Sequence, residues 1–260
     1  MGWVAAGVWL SAGVSLAAGA GGAPTGAVPL GASVVSGVSA ASGVAAVLPA
    51  PDTMASRVLA CTACHGREGR ATPDGYFPRL AGKPEGYLYH QLLNFREGRR
   101  RYPQMAVLLE NLSDDYLREM AQHFAGLDLP YPPPSAVVRD PALLAQGRRL
   151  VEQGDPQRRL PACTQCHGAA MTGVSPDIPG LLGLPRDYLN AQLGAWQTGQ
   201  RRARSPDCMA DVARQLSPTE VSAVTAWLAA QPLPAVTRAA RALPQPLPLP
   251  CGDVSVGVRP

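Results

Sequence analysis

Two pentapeptides, Cys61-Thr-Ala-Cys64-His65 and Cys163-Thr-Gln-Cys166-His167, stand 102 residues apart in a chain of 260. Two cysteines three positions apart, followed at once by histidine, leave few chemistries open. A structural zinc site needs four ligands, and outside the pentapeptides the only histidines are His90 and His123. A thioredoxin-like redox pair belongs in a βαβ setting, and no convincing strand pattern is present. C-x-x-C-H is also the attachment signal for c-type haem. The two thiols add across the vinyl groups on one porphyrin edge, and the adjacent histidine is then held beneath the iron. Two covalently bound haem c groups are therefore expected, on Cys61 and Cys64 and on Cys163 and Cys166. His65 and His167 are the expected proximal iron ligands.

The surrounding sequence repeats at the same interval. Phe77-Pro78-Arg79-Leu80-Ala81-Gly82 aligns with Ile178-Pro179-Gly180-Leu181-Leu182-Gly183, and Pro84-Glu85-Gly86-Tyr87-Leu88 with Pro185-Arg186-Asp187-Tyr188-Leu189. Gln91-Leu92, Phe95, Gly98 and Leu112-Ser113 find partners in Gln192-Leu193, Trp196, Gly199 and Leu216-Ser217. Two copies of one domain follow. The expected division is residues 52–127 for the first and 140–231 for the second, with a linker at 128–139. Pro130, Pro132, Pro133 and Pro134 make that linker extended and fairly stiff.

Each copy reads as helices and nothing else. Tyr87, Leu88, Leu92 and Phe95 fall at helical spacing over 85–97, and Tyr188, Leu189, Leu193 and Trp196 repeat it over 186–197. Ser217-Pro218-Thr219-Glu220 is a capping box with proline at the first helical position. Ser113-Asp114-Asp115 starts the equivalent helix, and Asp140-Pro141 starts one running toward Glu152. Aromatic residues are only 5% of the chain, so the centre of each domain lacks large side chains, a deficit that a haem makes good.

A six-coordinate haem needs a second axial side chain. In each half one methionine falls at the matching place between the middle and last helices, Met105 in Tyr102-Pro103-Gln104-Met105 and Met209 in Pro206-Asp207-Cys208-Met209. They lie 40 and 42 residues beyond the proximal histidines. Core packing is the alternative role for methionine, but both segments read as polar loops rich in proline and arginine. His90 and His123 read as packing or surface residues. Ligating histidines usually donate their other ring N–H to a carbonyl. Pro78 and Pro179, 13 and 12 residues past their histidines, offer matched acceptors.

With both C-x-x-C-H motifs, the two prolines, the paired Tyr-Leu-x-x-Gln-Leu helices and the two methionines, the chain resembles the two-domain dihaem members of the class I cytochrome c family, the cytochrome c-four type. The resemblance covers roughly residues 53–231. It implies an all-α fold of two tandem cytochrome c domains, each a small helical fold around one covalent haem, packed closely enough for electrons to pass between them. It also implies that the carbonyls of Pro78 and Pro179 contact the proximal histidines. The protein is then an electron carrier and not an enzyme. Its expected partners are redox proteins: a dehydrogenase or quinol-oxidising complex as donor and an oxidase or reductase as acceptor. Two other roles stay open, a haem subunit of a periplasmic dehydrogenase complex and a dihaem peroxidase. Methionine on both irons argues against the peroxidase.

The ends of the chain depart from that pattern. Between Met1 and Ser56 the only charged side chain is Asp52. Residues 1–20 read as a signal peptide, with small residues at Ala18-Gly19-Ala20 and with an uncleaved anchor as the alternative; this places the protein in the periplasm. Residues 21–51 read as a low-complexity leader, and 232–260 as a proline-rich tail. In an oxidising compartment spare cysteines usually pair, so Cys208 and Cys251 are expected to join the tail to the segment carrying Met209. A net charge of +4 is too small to signal nucleic acid. Arg99, Arg100 and Arg101 precede Met105, and Arg201, Arg202 and Arg204 precede Met209. They read either as a basic docking patch or as solvated and haem-carboxylate-neutralising groups.

Overall fold

The computed structural model describes residues 52–131 and 140–255. The signal segment, the leader and most of the proline-rich linker lie outside these residues. The first half opens with α1 (Met54–Arg57) and α2 (Leu59–His65). It continues with α3 (Glu85–Arg96), α4 (Pro103–Leu109) and α5 (Asp114–Gly126). The second half holds α6 (Pro141–Gln153), α7 (Cys163–His167), α8 (Arg186–Gln197), α9 (Cys208–Gln215) and α10 (Pro218–Ala230).

The helix starts are where the capping residues put them. Ser113 accepts a hydrogen bond from the Tyr116 N–H, and Asp140 from those of Ala142 and Leu143. Ser217 and Glu220 close a reciprocal capping box at the head of α10. Each half builds its own apolar cluster. The first unites Val58, Leu88, Leu109, Leu117, Met120 and Phe124; the second unites Leu150, Val151, Tyr188, Leu189, Val224 and Leu228. In the second half α6 crosses α10 at Gly147, where a Cβ would lie 2.1 Å from the Ala223 carbonyl oxygen. Only glycine allows that approach.

Two local readings of the sequence are corrected. A short antiparallel ribbon is present, β1 (Gly173–Val174) with β2 (Ile178–Pro179), pairing Gly173 with Pro179 and Val174 with Ile178. Two residues per strand are too few for an alternation pattern to show. The methionine segments are helical rather than loops: Met105 lies in the first turn of α4 and Met209 in the first turn of α9. Pro103 at the first turn of one and the Asp207 cap of the other are ordinary start signals, but the short helices they begin carry too few apolar residues to read as such.

The tail is an integral part of the second half. Ala240 donates to Gly173 O at 2.9 Å and accepts from Ser175 N at 2.8 Å, which lays the tail beside the ribbon. Leu243 is fully buried against Val174 and Ile178.

Candidate functional site

The two histidines of the pentapeptides occupy equivalent settings. Each ends a short helix, α2 or α7, and each is buried. His65 Nδ1 lies 2.9 Å from the carbonyl oxygen of Pro78, and His167 Nδ1 lies 2.8 Å from that of Pro179. With Nδ1 donating to a carbonyl, Nε2 keeps its lone pair and is the nitrogen that could hold a metal. Burial lowers the pKa of both rings from the ordinary histidine value, which keeps them neutral. The carbonyl hydrogen bonds act in the opposite sense, and Arg100 at His65 and Lys83 at His167 add to the lowering.

Beside His167 lies a cavity of about 190 Å³, measured as space reachable by the centre of a water molecule. Cys163, Cys166, His167 and Met209 all line it, among mainly apolar walls such as Leu189 and Leu193. Burial pushes the Cys163 thiol up to about 12. In the first half, Cys61 and Met105 both pack against the cluster formed by Leu88, Leu109 and Phe124. Among the described residues no group of three or more His, Cys, Asp or Glu is placed to hold a metal ion by itself.

The polar part of the cavity wall tests the fit to haem. Trp196 Nε1 and His90 Nδ1 are buried with no hydrogen-bond partner, and both residues line the cavity. Lys83 and Arg201, 7% and 5% exposed, line it too, and neither has an ion-pair partner among the described residues. A buried charge without a partner is costly. An apolar slot floored by a histidine and edged by unpaired cations and an N–H donor suits a flat apolar ring bearing carboxylates, and that describes haem.

Two of the six arginines that precede the methionines serve the boundary between the halves. Arg100 and Arg201 meet across the boundary between the halves. Arg100 donates to Gln91 Oε1 at 3.0 Å and to Gln192 Oε1 at 2.7 Å. Arg201 donates to the same two oxygens, at 3.0 and 2.8 Å, and to the Tyr87 hydroxyl at 3.2 Å. Backbone bonds from Arg101 N to Gln200 O (2.7 Å) and from Arg202 N to Arg99 O (2.8 Å) flank them. Each guanidinium lies over an aromatic ring of its own half, Phe95 at 4.5 Å and Trp196 at 3.8 Å. Repeat positions thus meet repeat positions about an approximate two-fold axis, as at an isologous interface. The repeat alignment held the signal for this: Gln91/Gln192 and Tyr87/Tyr188 recur as polar residues on otherwise apolar helix faces. Arg101, Arg202 and Arg204 remain exposed.

No family model matches the chain. Curated relatives do. The chain is 37% identical over 187 residues to a thiosulfate dehydrogenase electron acceptor from Thiomonas intermedia, covering 71% of this chain and 82% of that one. It is 33% identical to cytochrome c4 from Pseudomonas aeruginosa, covering 66% of this chain and 84% of that one. The chain belongs to the dihaem cytochrome c4 family. Solved structures agree. The reduced recombinant cytochrome c4 from Pseudomonas stutzeri superposes with a TM-score of 0.57 at 31% identity, over 68% of this chain and 95% of that one. A thiosulfate dehydrogenase, TsdBA, from Marichromatium purpuratum matches at a TM-score of 0.58 and 36% identity, over 66% of this chain but only 36% of that one. This dihaem cytochrome therefore carries two covalently bound haem c groups, has the all-α two-domain fold, and transfers electrons to and from redox partners rather than acting as an enzyme.

The remaining expected pair is close at hand. Cys208 and Cys251 are joined, with the sulfurs 2.12 Å apart. Gly252 follows, with its N–H on Pro206 O at 2.8 Å and no room for a Cβ, which would lie 2.4 Å from the Arg204 and Ser205 carbonyl oxygens. Asp253 accepts from Asn94 Nδ2 at 3.2 Å and from Arg204 N at 3.1 Å. Leu247, Leu249 and Val254 line the cavity, so the tail forms one of its walls. His90 and His123 are half-buried, and His90 stands in the wall of the cavity beside His167.

Proposed function

We propose that Cys61 and Cys64 hold one haem and Cys163 and Cys166 the other. His65 and Met105 are the axial ligands of the first iron, and His167 and Met209 those of the second. The observation that carries this reading is the matched pair of histidine–proline contacts, made at the same point of two independent copies of the sequence. When bound, each haem supplies a one-electron couple. The chain's residues do the rest. Pro78 and Pro179 fix the ring tautomers, and the apolar walls of the second cavity keep water from its centre. The Arg100–Gln91–Arg201–Gln192 cluster holds the two halves in one register, so that an electron has a short, constant path between them. Methionine ligation favours a relatively high potential.

The protein acts in the periplasm, as the cysteine pair and the apolar leader suggest; no described helix is long and apolar enough to cross a membrane. Its donor is a dehydrogenase or quinol-oxidising complex and its acceptor an oxidase or reductase. The name of the Thiomonas relative favours a thiosulfate dehydrogenase as donor. Haem counting tests the site assignment. Cys61→Ser/Cys64→Ser and Cys163→Ser/Cys166→Ser should each retain one covalent haem of two, and a full complement in either variant overturns it. Replacing Met105 or Met209 should abolish the methionine signature of one haem in magnetic circular dichroism. Rapid reduction by a thiosulfate dehydrogenase supplied with thiosulfate supports that donor; no reduction above the rate with thiosulfate alone removes it.

A further inference from the structure

We propose that Lys83, contributed by the first half, is a positioning residue for the haem of the second half and pairs with one of that haem's carboxylates across the domain boundary. The inference rests on the assignment of a haem to Cys163, Cys166 and His167.

Lys83 is 7% exposed and lines the cavity that also contains His167 and Met209. Its ammonium lies 5.9 Å from the Tyr87 ring centroid, and no carboxylate among the described residues pairs with it. The acidic side chains in the same wall are engaged elsewhere. Asp177 accepts from the Ser255 N–H and hydroxyl, both at 2.7 Å. Asp207 accepts from the N–H groups of Ala203 and Ala210, and Asp253 is held by Asn94 and Arg204. A buried lysine with no counter-ion either loses its proton or meets an anion that is part of the loaded protein. The anions a haem brings are its carboxylates.

The repeat shows that this is not a general feature of the fold. Position 83 aligns with Leu184, and Trp196, whose Nε1 is the unpaired donor in the same cavity, aligns with Phe95. Both departures add a hydrogen-bond donor, and both donors line the cavity of the second half. The first half thus lends its neighbour a charge, whereas Leu184 packs into the apolar cluster of its own half.

A cation close to haem disfavours the oxidised, more positive state, so removing it lowers that haem's midpoint. The test is a redox titration of the full dihaem protein, with each haem followed through its own assigned methyl resonances. Lys83→Leu, which copies Leu184, should lower the second midpoint by about tenfold in equilibrium constant, or ~59 mV for one electron, with a smaller change in the first. Lys83→Gln should behave alike, and Lys83→Arg should restore the wild-type value. Unchanged midpoints in Lys83→Gln, or a fall confined to the first haem, would overturn the proposal. If Lys83→Leu fails to accumulate, the Gln and Arg variants decide. Haem content keeps the two readings apart: two haems with unmoved potentials sink Lys83 alone, whereas a Cys163→Ser/Cys166→Ser protein that still carries two haems sinks the site.

Discussion

The two halves share a skeleton but are braced differently. In both, a C-x-x-C-H helix delivers a buried histidine to a proline carbonyl, a Tyr-Leu-x-x-Gln-Leu helix faces the partner half, and a serine-capped helix closes the fold. The first half opens with the four-residue α1, whereas the second opens with the thirteen-residue α6, locked onto α10 through Gly147. The second half alone has the tail, its disulfide and an added ribbon. The histidine–carbonyl geometry is built twice, and the tail braces one copy. The second half should therefore be the more stable of the two, and its methionine helix the harder to displace.

The strongest way to break that contrast is to cut the tail loose. The Cys208–Cys251 bond spans a sequence separation of 43, and the chain-entropy model gives such a closure about 4 kcal/mol. Cys208→Ser/Cys251→Ser should lower the stability of the second half by about that much in urea unfolding followed by haem absorbance, leaving the first nearly unchanged. It should also speed replacement of methionine by added imidazole at the second haem only. Equal losses in both halves would show that the tail braces the whole molecule.

The boundary between the halves comes next. Arg201 is buried and serves Gln192, Gln91 and Tyr87, whereas Arg100 is half-exposed. Arg201→Leu strips the Tyr87 hydroxyl of its partner and removes one of the two donors on each glutamine oxygen, and should cost about 2–3 kcal/mol. Arg100→Leu, whose lost bonds water can partly replace, should cost about 1 kcal/mol. Small-angle scattering should show the halves separating in the first variant before the second. If the two cost the same, the pseudo-symmetry is energetic as well as geometric.

How much of this could be read in advance follows from how local each signal is. The helices over 85–96 and 186–197 and the capped starts at Ser113, Asp140 and Ser217 were legible because periodicity and caps are written into adjacent residues. The pentapeptides were legible because haem attachment demands contiguous chemistry. Arg100 and Arg201 were not: a run of arginines looks the same in water and at an interface, and only the second copy, folded against the first, gives them their shared glutamine partners. The helical setting of Met105 and Met209 was missed because seven- or eight-residue helices depend on tertiary contacts more than on propensity. The tail's place in the cavity wall is likewise a long-range fact, hinted at only by Cys251.

The caps of the closing helices give the finest comparison. Ser113 holds a single N–H, that of Tyr116, at 3.2 Å. Ser217 holds Glu220 N at 3.3 Å, while Glu220 returns a carboxylate to Ser217 N at 2.8 Å and pairs with Arg158 at 2.6 Å. Ser113→Ala should cost about 0.5–1 kcal/mol and Ser217→Ala about 1–1.5 kcal/mol, because the second change loosens a reciprocal pair. The Arg158 hydrogen bond leads the interactions that hold the Glu220 carboxyl below the ordinary glutamate value of 4.5. The unfolded chain therefore takes up the proton first as acid is added. The increment is whole above about pH 4.5 and disappears as pH falls through the lower folded value. Glu220→Gln should flatten that part of the second half's acid unfolding curve and leave the first half's curve, with Tyr116 at the equivalent position, unchanged.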